Sequence, residues 1–201
     1  MDVVEQAVAA VQAGKPVVLP TDTVYGLVAT PYRDEPAWRI YRLKQRPETI
    51  PMALLATDLE MLFECIPELR GRSGLVARAL LPGPYTLIFP NPARRYRWLT
   101  GLTPDKIGVR VPELTGDADR IIAHVGAVAA TSANRHRGPE PRALEEVPEE
   151  IRNAAGAVVD GGELPGVPST VLDFTEGEPK VLREGAVPGR DAIERALSAV
   201  G

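Results

Sequence analysis

The chain has 201 residues, 44% of them hydrophobic, with 20 prolines, 18 glycines and a formal net charge of −4, a length and apolar content that fit one well-buried domain over residues 1–201. The acidic balance argues against indiscriminate coating of nucleic acid, no apolar run approaches the ~18 residues of a membrane span, and the lone Cys65 excludes an internal disulfide and a cysteine-based zinc site. With Asp2, Glu5 and Gln12 in its first stretch, the N-terminus does not read as a signal peptide, and the expected location is the cytoplasm.

Apolar spacing at Val4, Ala7, Val8 and Val11 predicts an amphipathic first helix stopped by Gly14. PVVLP (16–20) is a β-branched run expected to be a buried strand. Asp34 is the expected N-cap of a helix through Trp38, Tyr41 and Leu43 that ends before Pro47. MALLA (52–56) predicts a strand and DLEMLFECI (58–66) a helix, with Cys65 as a core thiol. A second helical stretch runs to about Leu81, and PGP then turns into the strand YTLIF (85–89). Further on, IGVRVP (107–112) predicts a strand, DADRIIAHV (117–125) a helix and AVAATSA (127–133) a strand entering a loop. AVVDGG (157–162), STVLDF (169–174) and KVLRE (180–184) predict short strands, and a last helix begins near Gly189. Interleaved helices and strands make the class α/β with a mixed, twisted sheet.

The common catalytic signatures are missing: there is no GxGxxG, GxxxxGK[ST], HExxH or GxSxG. His124 and His136 are the only histidines, and solvated or structural roles suit both, so no metal site is expected. What remains is a series of hydroxyl- and arginine-bearing turns. PTDTVYG (20–26) leaves a strand carrying Thr21, Asp22, Thr23 and Tyr25, and strand ends are where α/β sheets form ligand crevices. An ordinary turn, in which Asp22 and Thr23 bond local backbone, is an equal alternative. KQRP (44–47) puts Lys44 and Arg46 at a helix C-terminus, where cations also simply complement the dipole. TSAN (131–134) sets Thr131, Ser132 and Asn134 at a strand exit, PSTV (168–171) presents Ser169 and Thr170, and VLREG (181–185) carries Arg183. Arg110, flanked by Gly108, Val109 and Val111, is unfavourable in an apolar strand unless it faces a crevice or finds a partner. Together these turns imply a polar, cationic pocket without a dedicated acid–base catalyst.

PTDTVYG, K-x-R-P, PGPYTLIF, IGVRVP, TSAN, PSTVLDF and VLREGAVP, in that order, resemble the YrdC/YciO superfamily, and within it the threonylcarbamoyl-AMP synthases, over about residues 5–188. The resemblance is to the short, single-domain form. It implies a twisted, open mixed sheet with flanking helices around a large concave cavity. It also implies a nucleotidyltransferase that makes threonylcarbamoyl-AMP and pyrophosphate from L-threonine, bicarbonate and ATP, with Mg²⁺ accompanying ATP. Its product would feed the tRNA threonylcarbamoyl transferase machinery. By matching positions, Thr23, Arg110, Ser132 and Ser169 are expected to contact threonine, Arg110 through the carboxylate. Lys44 and Arg46 are expected to face the phosphates, Asn134 and Arg183 to hold the nucleotide, and Tyr25 to line the cavity. The chain departs from the family at Ile50-Pro51-Met52 and Leu55, and in SANRHRGPEPRA, where Arg135, His136 and Arg137 add positive charge.

Rival readings keep the fold and drop the threonine-dependent synthase. One is a YciO-like protein, and another is a relative of the carbamoyl-transfer domain of hydrogenase maturation proteins. A third is weak RNA binding through RRYRW (94–98), whose alternating arginines and aromatics suit a stacking and phosphate patch. The plainer expectations for that segment are an exposed loop with its aromatics packed on the body, or a lid over the cavity.

Overall fold

The computed structural model describes residues 2–201. Helix α1 (Val3–Gln12) starts at a capping box in which Asp2 Oδ1 accepts from the Glu5 N–H (2.8 Å) and Glu5 Oε2 accepts from the Asp2 N–H (3.1 Å). Strands β1 (Val17–Pro20) and β2 (Tyr25–Ala29) form an antiparallel pair joined through Thr21–Val24, with Pro20 opposite Tyr25. The strand at Tyr25–Ala29 was not expected, because every one of its residues is buried and no polar alternation marks it.

Helix α2 (Asp34–Lys44) corrects the predicted cap. Arg33 holds the N-cap position without a side-chain hydrogen bond, and Asp34 is the first helical residue, where its charge complements the dipole. Gln45 closes α2 in the left-handed region at φ 52°. Then come β3 (Ala53–Ala56), α3 (Leu59–Cys65, capped by Asp58), α4 (Arg72–Leu80) and β4 (Tyr85–Pro90). They are followed by β5 (Lys106–Arg110), α5 (Gly116–Val125), β6 (Ala127–Ser132) and α6 (Glu149–Ala154). The chain finishes with β7 (Ala157–Val158), β8 (Thr170–Asp173), β9 (Lys180–Arg183) and α7 (Gly189–Val200). The run expected as a strand over 157–162 shrinks to two residues, since Asp160 and Gly162 turn the chain there.

The nine strands make one twisted, open mixed sheet ordered β7-β1-β2-β6-β3-β5-β4-β8-β9. The pairs β1/β7, β3/β5 and β4/β8 are parallel and the other five are antiparallel. Side chains alternate across it. On one face, Leu27, Leu54, Leu87, Val109 and Leu172 pack with α2, α3, α4 and α7 in a core that reaches almost the whole width of the sheet. On the other face, Val17, Leu19, Val28, Leu55 and Val128 pack under α1 and α5. That second layer takes no residue from β4, β5, β8 or β9, so half of this face is left uncovered. Among the described residues, no helix is long and apolar enough to cross a membrane.

Candidate active site

The uncovered half of the sheet is the floor of a cavity of about 440 Å³. Alternation sets its chemistry. On β4, Thr86 and Ile88 face the cavity while Leu87 and Phe89 enter the core. On β5, Lys106, Gly108 and Arg110 face it, while Val109 is core. Val171 and Asp173 of β8 do the same. Arg110 therefore sits in an apolar strand at no conflict with its neighbours, because it occupies the cavity register and also has a partner.

That partner is Asp22. Arg110 Nη2 donates to Asp22 Oδ1 (2.7 Å) and to Thr23 Oγ1 (3.3 Å), with the two charged side chains 12% and 9% exposed. Burial lowers the Arg110 pKa and raises that of Asp22, each partner's charge opposing the shift at the other. Arg110 Nε is buried and unpaired. Asp22 Oδ2 also accepts from the Glu113 N–H (3.3 Å), so the 21–24 turn is tied across the cavity floor to the end of β5. Within the turn, Thr21 Oγ1 donates to Val24 O (2.6 Å) and accepts from the Thr23 N–H (3.2 Å). The ordinary-turn alternative for Asp22 and Thr23 is therefore incomplete: Thr23 meets Thr21 Oγ1 through its N–H and its hydroxyl (3.2 and 3.0 Å), but both residues also reach across to Arg110.

The opposite wall comes from β8 and β9. Ser169 Oγ and Thr86 Oγ1 share a hydrogen bond (2.8 Å), and Arg183 Nη2 donates to Ser169 O (2.9 Å) and Oγ (3.2 Å). The approach depends on Gly185, where a Cβ would lie 2.3 Å from Pro168 O. Arg46 completes the ring from the end of α2, its Nη2 donating to Pro51 O (2.7 Å) and burial lowering its pKa. Lys106 stands 3.5 Å from Asp173, whose carboxylate also accepts from the Thr175 N–H (2.8 Å) and hydroxyl (2.6 Å). Burial pushes the Asp173 pKa up, but the Thr175 hydrogen bonds and Lys106 outweigh it and hold it below the ordinary value. Glu140 lines the cavity with Oε1 3.6 Å from Arg183 Nη1, and its Oε2 is buried without a donor.

Six of the candidate site residues singled out by sequence therefore line one cavity: Thr23, Arg46, Arg110, Ser132, Ser169 and Arg183. Three do not. Lys44 is 1% exposed and lies behind the wall, its Nζ donating to Ser132 O (2.6 Å), Asn134 O (2.5 Å) and Asn134 Oδ1 (2.8 Å). Burial lowers its pKa to about 7. Asn134 folds its own loop, accepting from Ser132 Oγ (2.7 Å) and donating to Gly138 O (2.6 Å). Tyr25 is fully buried, and its hydroxyl meets Asp160 Oδ1 (3.1 Å), Gly162 O (2.8 Å) and the Gly161 N–H (3.0 Å), so it packs the 160–162 turn rather than the cavity. Sequence reasoning missed Asp22 as the partner of Arg110, together with Thr86, Lys106, Asp173 and Glu140. The signal for Lys106 was its place two residues before Gly108 and four before Arg110, on the same side of the strand.

The 94–98 segment lines no part of the cavity. Arg95 forms a two-point ion pair with Glu68 (2.8 and 2.9 Å), Trp98 Nε1 donates to Pro31 O (2.9 Å), and Tyr96 and Trp98 meet edge to face at 6.3 Å. The two aromatics are half-buried and packed on the body. Among the described residues, no group of three or more His, Cys, Asp or Glu side chains is placed to hold a metal ion.

The profile of the Sua5/YciO/YrdC family, described as Telomere recombination, matches residues 9–185. The chain is similar to a threonylcarbamoyl-AMP synthase of Pyrococcus abyssi, at 33% identity over 191 residues covering 94% of this chain and 56% of that protein. It is likewise similar to a threonylcarbamoyl-AMP synthase of Stenotrophomonas maltophilia, at 33% identity over 186 residues covering 89% of this chain and 96% of that one. Among solved structures, P. abyssi Sua5 complexed with L-threonine superposes with a TM-score of 0.86 at 33% identity, covering 98% of this chain and 57% of the other. The chain thus spans little more than half the length of its archaeal relative.

Proposed function

The chain belongs to the Sua5/YciO/YrdC family, and from that premise we propose that it makes threonylcarbamoyl-AMP from L-threonine, bicarbonate and ATP. Threonine's amine combines with bicarbonate to give the carbamate and water. A carbamate oxygen then attacks the α-phosphorus of ATP, and the bond to the β-phosphate oxygen breaks to release pyrophosphate. The substrates supply the nucleophile and the leaving group. The protein's part is to hold them in line and to stabilise charge, which needs donors and cations rather than a triad.

The observation that carries this reading is the joining of three guanidinium groups (Arg46, Arg110, Arg183) and three hydroxyls (Thr23, Ser132, Ser169) around one cavity of about 440 Å³, a size suited to small ligands. Arg110 takes the threonine carboxylate, with Thr23, Ser132 and Ser169 around it. Arg46 and Arg183 take the nucleotide and its phosphates. Lys44 and Asn134 serve by holding the loop that presents Ser132, without touching the ligand. Mg²⁺ would accompany ATP and offset phosphate charge when bound. Among the described residues, no group of three or more His, Cys, Asp or Glu side chains is placed to cage the ion. The product supplies a tRNA threonylcarbamoyl transfer step in the cytoplasm.

Incubation with ATP, bicarbonate and labelled threonine, followed by mass spectrometry, tests the proposal. A threonylcarbamoyl adenylate that needs all three substrates is expected. Pyrophosphate release that is indifferent to threonine, or that another amino acid stimulates equally, would overturn it.

A further inference from the structure

The cavity is cationic on balance, and its wall carries two carboxylates with contrasting surroundings. Asp173 is engaged by Lys106 and by the Thr175 N–H and hydroxyl. Glu140, in the loop that follows β6, has no hydrogen-bond donor among the described residues. Its Oε1 is 3.6 Å from Arg183 Nη1, beyond hydrogen-bond length, and its Oε2 is buried and unpartnered. The side chain lines the cavity and is 26% exposed. Carboxylate oxygens in such a setting ordinarily have a donor. Glu140 is also close enough for its charge to act on Arg110 and Lys44, where it works against the burial that lowers both pKa values.

The remaining wall charges explain one half of an amino-acid ligand. Guanidinium groups suit a carboxylate and phosphates, but they repel an ammonium. A zwitterion needs an anchor of each sign, and Glu140, whose Oε2 has no donor, is the carboxylate beside the Arg183 guanidinium. We propose that Glu140 accepts a hydrogen bond from the ammonium of the amino-acid substrate, orients the amine away from the carboxylate held by Arg110, and makes the site select an amino acid over its deaminated counterpart. This rests on the function proposed above and adds the recognition of the amine.

The test is calorimetric binding to the whole chain, comparing L-threonine with 2,3-dihydroxybutanoate, in which a hydroxyl replaces the ammonium. Glu140→Gln is expected to weaken threonine by at least about tenfold, the loss of a charge-assisted hydrogen bond. The same change should leave the dihydroxy acid as tight or tighter, because a negative neighbour has gone. Glu140→Asp keeps the charge and should fall between wild type and Glu140→Gln for threonine. A circular-dichroism spectrum and a urea midpoint matching wild type show that the variants are folded. Equal threonine affinity in wild type and Glu140→Gln overturns the inference alone, as does parallel weakening of both acids. A wild-type chain that binds no threonine overturns the proposed function and the inference with it.

Discussion

The buried pair Asp22–Arg110 allows a sharp test of how the cavity floor is held. The two side chains meet at 2.7 Å with little exposure, and burial moves both groups towards their neutral forms despite their attraction. Desolvation therefore exceeds attraction at each partner, and the pair as a unit adds little to stability. Removing only one partner is a different matter. In Asp22→Asn the guanidinium keeps a neutral partner and Thr23 Oγ1 at 3.3 Å, with Nε already unpaired. In Arg110→Met, Asp22 keeps only the Glu113 N–H at 3.3 Å. Each single change is expected to cost up to ~3–5 kcal/mol, the range for a buried charge left alone, with Asp22→Asn at the low end. The double variant removes both charges and should recover about 1.5–3 kcal/mol of the summed loss. Urea unfolding followed by circular dichroism, read as the midpoint at constant slope, gives the three differences. Losses that add to within about 0.5 kcal/mol would refute the reasoning, because the two groups would then be energetically independent.

Lys44 gives a pH test. Its folded pKa is about 7 against an ordinary 10.5, so between those values the unfolded chain holds a proton that the folded chain has released. Stability attributable to this group should rise with pH across that window, by up to ~1.4 kcal/mol per pH unit, and be flat below it. Lys44→Met should lose that component of the slope in urea unfolding between about pH 7.5 and 9.5, and an identical slope refutes it. Arg46→Ala should weaken binding of an ATP analogue by about tenfold or more with little change in threonine affinity, and the reverse pattern rejects its assignment to the phosphates. Tyr25→Phe removes a hydroxyl from three partners at the 160–162 turn. It should cost about 1–3 kcal/mol of stability and leave ligand affinities alone, so a folded variant with impaired binding would return Tyr25 to the cavity.

The fold was legible where helices announce themselves in the sequence, although the one N-cap read from it, Asp34, lies a residue inside α2. α1, α3 and α5 lie within a residue or two of their predicted positions. β2 was not legible, because a central strand buried on both faces carries no alternation, and its polar leader PTDT drew attention to the turn instead. The site was legible as a set of residue types at strand ends, but not as a layered arrangement. Nothing in KQRP tells that Arg46 enters the cavity while Lys44, two residues earlier, turns behind it to the carbonyls of Ser132 and Asn134. That outcome depends on the left-handed turn at Gln45 and on where the 132–138 loop passes, both of which are tertiary facts.

The position of the cavity follows from an imbalance between the two faces of one sheet. Helices α1 and α5 cover the β7-β1-β2-β6-β3 part of a face and stop at Leu55 and Ala130, both of which also border the cavity. Had that layer continued over β5 and β4, Lys106 and Arg110 would face apolar helices, and burying two more cations there would cost several kcal/mol each. Because the layer ends, the same register that puts Ile107 and Val109 into the core turns Lys106, Gly108 and Arg110 to the cavity side, where Lys106 meets Asp173 and Arg110 meets Asp22. Placing a large apolar residue at Gly108, as in Gly108→Leu, tests this. An added Cβ has only Thr86 Cγ2, at 3.5 Å, within contact distance. The backbone can therefore accept it, and the variant should fold with a midpoint close to wild type while its side chain fills the floor between Lys106 and Arg110 and blocks ligand binding. Unfolding of Gly108→Leu would mean that the floor is packed core after all, and that the uncovered half of the sheet is not what makes the site.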